Sequence, residues 1–211
     1  MEAGETRLPP AAEGLLLLAI TLPLALAFNF PTLWLLMPLA LLAVTARPYE
    51  PYGLEWGRYG SWRFHLVVCT AVFVPYCIGH YLSAYWWQGA DFTLRVPPQF
   101  PRQIIEQFLL IALPEEMFFR GYLQSQFDRS WGTRWKVLDA QVGPGWLAAN
   151  VLFAFCHIFR GGPARLIVFF PGLLYGWLRA RTGSIAAPVT YHAVSNLLMQ
   201  VMLESLIPHA V

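Results

Sequence analysis

Charge is what this sequence has least of. Asp, Glu, Lys and Arg make up 12% of its 211 residues and hydrophobic residues 57%, against about 25% charged residues in an ordinary water-soluble domain. So few charges cannot cover a solvated surface, and the composition predicts an integral membrane protein. The net charge of +2 comes from scattered rather than clustered basic residues, which excludes nucleic acid as a partner. Cys69, Cys77 and Cys156 are odd in number and form no Cys-x-x-Cys pair, so no disulfide framework is implied and each reads as a small packing residue. Internal repeats, low-complexity tracts and a soluble domain are missing as well. The first residues carry Glu2, Glu5 and Glu13 against Arg7, the wrong balance for a secretory signal, so the first apolar segment is expected to be retained.

What the chain has instead is a succession of apolar segments. Gly14–Phe28 and Thr32–Ala46, separated by Asn29-Phe30-Pro31, are each short for the ~20 residues that cross a hydrocarbon core, and predict two thin helices or one tight hairpin. Phe64–Trp87 is long enough to span, with Pro75 inside it and Tyr81, Tyr85, Trp86 and Trp87 as an aromatic interfacial end. A proline-rich connection (Val96-Pro97-Pro98-Gln99-Phe100-Pro101) precedes the segments Gln103–Phe127, Trp146–Phe159, Ala164–Arg181 and Ser184–Ile207. The expectation is an all-α, polytopic transmembrane helix bundle of about seven spans (six to eight), forming one membrane domain over residues 1–211. Its orientation follows from Lys and Arg, which accumulate in cytoplasmic connections. With the N-terminus inside, Arg7, Arg47, Arg58, Arg63, Arg129, Arg134, Lys136, Arg179 and Arg181 fall on the cytoplasmic side, against Arg95, Arg102, Arg160 and Arg165 outside.

Into this apolar background the chain sets a few polar groups. Glu115, Glu116 and Arg120 sit within one spanning segment, His157 in another, and His192 with Asn196 in the last. A charged side chain near the bilayer centre costs about 2.5 kcal/mol or more, which makes such groups functional candidates by default. At ~1.5 Å of rise per residue, Glu115, His157, His192 and Asn196 fall roughly 12–20 Å from the cytoplasmic face and can share one depth. Glu116 and Arg120 are four apart with the acid first, the favoured order for an ion pair on one helix face. Glu115, turned by about 100°, is left without a partner on its own helix. His192 and Asn196 project together, and Asn150, Phe153 and His157 lie along one stripe of another helix.

Those residue types suggest a reaction. A carboxylate (Glu115) and an imidazole (His157) around one water can deprotonate it. Donors from His192 and Asn196 can stabilise the oxyanion that forms when water attacks a peptide carbonyl. The implied chemistry is hydrolysis of an amide bond within the membrane. Asn150 is a candidate supporting residue behind these groups, and Phe153 reads as packing.

Glu-Glu-x-x-x-Arg at 115–120, Phe-x-x-x-His at 153–157 and His-x-x-x-Asn at 192–196, in that order, resemble the CAAX-protease and bacteriocin-processing family of glutamate-type intramembrane endopeptidases. The resemblance covers roughly residues 103–207, the expected catalytic helices. It implies Glu115 as general base with His157 beside it, Glu116 and Arg120 shaping the site, and His192 with Asn196 as oxyanion hole, with no cofactor. It also implies a multi-pass protein of the bacterial inner membrane, whose partners are the lipid bilayer and a membrane-associated protein or peptide: a prenylated tail, a leader peptide or a C-terminal sorting anchor, the last as in sorting-type members such as the myxosortases.

Blander readings stand beside this one. Glu115, Glu116 and Arg120 can be an ion-pair cluster locking helices together, although one arginine for two acids leaves a charge over. His157 alone reads as a core histidine, and His192 with Asn196 as interhelical glue worth about 0.6–2 kcal/mol per contact. His65 and His80, near the ends of the third segment, and Glu204 and His209, near the end of the last, read as structural or interfacial. Two histidines and a glutamate can also bind zinc, but the His-Glu-x-x-His signature is missing and Asn196 is a poor ligand, so no metal is expected. A transporter using the same polar cluster, or a scaffold or immunity protein, is the alternative outside enzymology.

Overall fold

A computed structural model of the protein describes residues 8–55 and 58–208, and the side chains of Trp87, Gln88 and Pro208 lie outside the described part. The expectations on Glu2, Glu5, Arg7 and His209, and on the ring of Trp87, therefore fall outside it. Among the described residues seven helices dominate: α1 (Pro10–Ala27), α2 (Leu33–Val44), α3 (Trp62–Ser83), the long rod α4 (100–131), α5 (Pro144–Gly161), α6 (Phe169–Thr182) and α7 (Ala186–Glu204).

The first two apolar runs form two helices. They are joined by a tight turn in which Asn29 takes φ 47°, a left-handed conformation that asparagine tolerates better than most residues. α3 continues for one π-helical turn, Ala84–Gln88, and has no buried residue among its 22. Among the described residues, only α1 and the helical stretch Trp62–Trp86 qualify on their own as membrane spans by length and hydropathy, and α2 is shorter.

α4 is longer than the 25-residue segment expected, and it is not a uniform α-helix. The α-helical turn Leu113–Glu116 lies between two π-helical stretches, Glu106–Ala112 and Met117–Leu123. Pro114 sits in that turn. It has no N–H to donate and its ring crowds the carbonyl four residues back, so a wider turn relieves the clash. π-helical insertions of this kind recur at functional sites.

Two other boundaries differ from expectation. The segment expected to be helical from Ala164 begins as the 3₁₀ stretch Pro163–Val168, and the α-helix starts only at Phe169. Pro171 falls in the first turn of that helix, where a proline costs no helical hydrogen bond. The chain is also not purely helical. Among the described residues, four three-residue strands form two antiparallel ladders: β1 (Ala90–Phe92) with β4 (Leu206–Pro208), and β2 (Trp135–Val137) with β3 (Ala140–Val142). The β2–β3 hairpin turns through Leu138 and Asp139, both at positive φ, the conformation of a type I′ turn. β1 and the β2–β3 hairpin lie in connections between helices and β4 follows α7, and the ladders pair backbone groups that no helix there satisfies.

The core forms around the second half of α4. Met117, Phe118, Phe119, Tyr122, Leu123 and Phe127 are buried against α1, α2 and α5. A second cluster joins Tyr175, Trp177 and Leu178 of α6 to Tyr191 of α7 and to the hairpin. Glu13 of α1 accepts both Arg47 terminal nitrogens and Gln126 Nε2 at 2.6 Å, together with the Tyr122 hydroxyl. This partly buried carboxylate ties the first helix to the rod. His65 bridges α3 to α7, its ring nitrogens 2.8 Å from the Tyr59 carbonyl and 3.1 Å from the Tyr191 hydroxyl.

Candidate active site

The short turn between the two π stretches carries Glu115 and Glu116, and the helix delivers them to different neighbours. Glu116 is fully buried. Its Oε1 accepts from Arg120 Nη1 at 2.9 Å and lies 2.7 Å from His192 Nδ1. Arg120, 1% exposed, also donates through Nη2 to the Gly172 carbonyl (3.1 Å) and to Asn150 Oδ1 (3.4 Å). Its guanidinium lies over the Phe153 ring at 4.0 Å. Asn150 is held in turn by its own donation to the Phe169 carbonyl at 2.9 Å. Four helices thus meet on one charged hydrogen-bonded cluster, and each polar group in it has a partner except Glu116 Oε2.

Glu115 faces the other way. Its Oε2 is buried, has no hydrogen-bond partner, and lies 3.7 Å from His157 Nε2 and 3.9 Å from His192 Nε2. Both distances are beyond a hydrogen bond, and both leave room for a shared small molecule. The imidazole orientations are legible. His157 Nδ1 is 2.8 Å from the Phe153 carbonyl, which can only accept, so that nitrogen carries the proton and a neutral His157 turns a bare Nε2 toward Glu115. His192 Nδ1 faces Glu116 Oε1, which already serves Arg120, so it too is the donor. The His192 ring plane is fixed by Tyr175, stacked on it at 5.0 Å and 13°, and by the Phe153 edge at 6.0 Å.

The structure therefore brings together Glu115, Glu116, Arg120, His157 and His192, with Asn150 behind Arg120 and Phe153 between Arg120 and His157. Asn196 makes a different contact: its Nδ2 donates to Gln107 Oε1 at 2.8 Å, and it has no hydrogen bond to either acid of the pair. Gln107, Tyr175 and Gly172 were missed in the sequence. Gln107 and Tyr175 carry no charge and follow no spacing rule. For Gly172, the repeat Gly172-x-x-x-Gly176 was a readable sign of close helix approach. A Cβ on Gly172 would stand 2.1 Å from Asn150 Oδ1 and 2.9 Å from Arg120 Nη2, so only glycine lets α6 close over the cluster.

A cavity of about 30 Å³ reaches Glu115 and His157 between α1, α2 and α5, walled by Leu22, Leu26, Trp34, Phe119 and Cys156. That volume suits a water molecule. Arg160 lines its edge and donates to the Ala25 carbonyl at 3.2 Å, joining α5 to α1. Among the described residues, no group of three or more His, Cys, Asp or Glu side chains has the geometry to hold a metal ion.

A polar centre buried among helices, with a carboxylate left open between two imidazoles, defines a candidate acid–base site. Residues 97–198, which contain every residue of that centre, match the family described as Type II CAAX prenyl endopeptidase Rce1-like. The match covers just under half of the chain, and the family it points to is one of membrane-embedded CAAX proteases. Neither the curated proteins nor the solved structures contain a match to the chain.

Proposed function

We propose that the protein is an intramembrane endopeptidase of the glutamate type, cutting a membrane-associated protein or peptide, with Glu115 as general base. The observation that carries this is the convergence of Glu115 Oε2, His157 Nε2 and His192 Nε2 within 3.9 Å beside a cavity suited to water. With His157 Nδ1 committed as donor, a neutral His157 leaves two acceptors, its Nε2 and Glu115 Oε2, facing each other. A water that donates to Glu115 and His157 relieves that repulsion and has a lone pair free for a carbonyl carbon.

The charge count supports the same roles. Glu115, Glu116 and Arg120 together carry one net negative charge, so a single proton shared within the cluster makes it neutral. Placed on His192, whose Nδ1–H is held by Glu116, that proton makes Nε2 a donor for the developing oxyanion. In the step itself the water oxygen bonds to the carbonyl carbon as its proton passes to Glu115. The carbon–nitrogen bond then breaks, and the leaving amine takes that proton.

The membrane setting rests on α3. A 22-residue apolar helix without one buried residue presents to its surroundings a patch larger than soluble monomers expose, and hydrocarbon covers such a face at no cost. We place the chain as a multi-pass protein of the bacterial inner membrane with all seven helices in or across the bilayer, and its N-terminus on the cytoplasmic side. The first test is to incubate purified wild-type protein and Glu115→Gln, both shown to be folded, with membrane fractions and with a farnesylated CAAX-type peptide. A protein or peptide shortened by wild type alone is expected. Equal processing by Glu115→Gln refutes the assignment, and a loss of solute flux without any cleavage favours the transporter reading.

A further inference from the structure

We infer that Gln107 is a positioning residue for the amide of Asn196, an inference that rests on the protease reading above. Gln107 lies in the π-helical stretch Glu106–Ala112 and is 7% exposed. The wide turn points it across the helix interface at α7, where its Oε1 accepts from Asn196 Nδ2 at 2.8 Å. Asn196 is one helical turn beyond His192 on the same face, and the His192 Nε2 lies 3.9 Å from Glu115 Oε2. A substrate carbonyl attacked by water at Glu115 has its oxygen directed along this face of α7.

An asparagine amide helps an oxyanion only through its N–H groups. Rotated by half a turn about its terminal bond, it presents a carbonyl oxygen instead and repels the same charge. Nothing else in the contacts of Asn196 selects between the two. Gln107 does while it presents Oε1, which engages one of the two Nδ2 hydrogens; turned over, its own Nε2 would instead hold Asn196 Oδ1. The nitrogen is thereby held on the Gln107 side, Oδ1 is turned away, and the second hydrogen stays free for the substrate. Gln107 touches no reacting atom in this arrangement. It acts through Asn196.

The inference separates variants that look alike. Gln107→Leu removes the acceptor at similar volume. Gln107→Glu keeps an acceptor and, in its ionised form, has nothing to donate, so it enforces the inferred orientation of Asn196 at a pH where the carboxyl is ionised. With the membrane protein shortened in the Glu115 comparison as substrate, Gln107→Leu is expected to lower kcat about 10- to 100-fold with KM nearly unchanged. Loss of an oxyanion donor altogether costs about 10²–10³. Gln107→Glu is expected to stay within a few-fold of wild type. Asn196→Ala/Gln107→Leu is expected to be no slower than Asn196→Ala alone, because a residue that acts only through Asn196 has nothing left to orient. A packing role moves none of these relations: it gives losses that multiply and no rescue by glutamate. Multiplicative losses, unchanged kcat in Gln107→Leu, or a Gln107→Glu as slow as the leucine variant each overturn the inference. Gln107→Met replaces leucine should the latter fail to fold. If Glu115→Gln leaves cleavage intact, it is the protease reading that falls, whereas a Glu115-dependent activity with multiplicative losses removes the role of Gln107 alone.

Discussion

Replacing Arg120 with methionine is the most severe single perturbation the buried cluster offers, and its cost can be worked out. The guanidinium is 1% exposed. It makes three hydrogen bonds, to Glu116, Gly172 and Asn150, and covers the face of Phe153. Methionine fills a similar volume and takes away all three bonds. Glu116, with no exposure of its own, is left with His192 as its hydrogen-bond partner. An exposed pair removed in this way costs about 0–1 kcal/mol. A buried pair broken from one side costs about 3–5 kcal/mol, because the remaining charge loses its permanent counter-ion and no water replaces it. For a chain of this size, at ~2–4 °C per kcal/mol, the melting temperature is expected to fall by about 6–20 °C. Thermal unfolding in detergent micelles, followed by tryptophan fluorescence, measures it. The companion variant Glu116→Gln/Arg120→Met carries neither charge and is expected to melt above Arg120→Met. Arg120→Lys keeps the charge but not the fork that reaches Glu116, Gly172 and Asn150 together, and is expected to fall between wild type and methionine. Should Arg120→Met melt within 2 °C of wild type, or the double variant melt no higher than the single, the buried charge does not dominate this cluster and the reasoning fails.

Gly172→Ala is expected to destabilise by about 1–3 kcal/mol, the usual range for overpacking, because its Cβ meets Asn150 Oδ1 at 2.1 Å; the same melts read it, and a neutral effect refutes the close approach. Arg160→Ala removes the link from α5 to the Ala25 carbonyl beside a cavity too small for a peptide. Faster labelling of Cys156 by a small thiol reagent, and a lower KM for cleavage, are expected; unchanged labelling shows that α1 is held without that bond. Prolonged dialysis against a strong chelator is expected to leave the Glu115-dependent cleavage intact, and loss that zinc restores would transfer water activation to a metal.

The legible part of this protein was the part written in charge. In an apolar chain, Glu115, Glu116, Arg120, His157 and His192 stand out because each is costly in hydrocarbon, and spacing by four already paired Glu116 with Arg120. Helix positions followed from apolar runs for the same reason. The pattern could not tell how the helices deviate from regularity. Pro114 was visible, but whether a proline kinks, ends or widens a helix depends on what packs around it, and here the widening sets the faces of Gln107 and Glu115. Neutral polar groups were illegible in the same way: Gln107 and Tyr175 cost little in sequence terms and take their meaning from one neighbour each. Asn196 shows the consequence. Spacing put it on the face of His192, yet its amide can serve an oxyanion only in one of two orientations, and the group that chooses lies 89 residues earlier in the chain. A site of this kind is thus specified twice, by ionisable groups whose burial cost marks them in the sequence, and by neutral amides and rings that aim them and become visible only when the helices are packed.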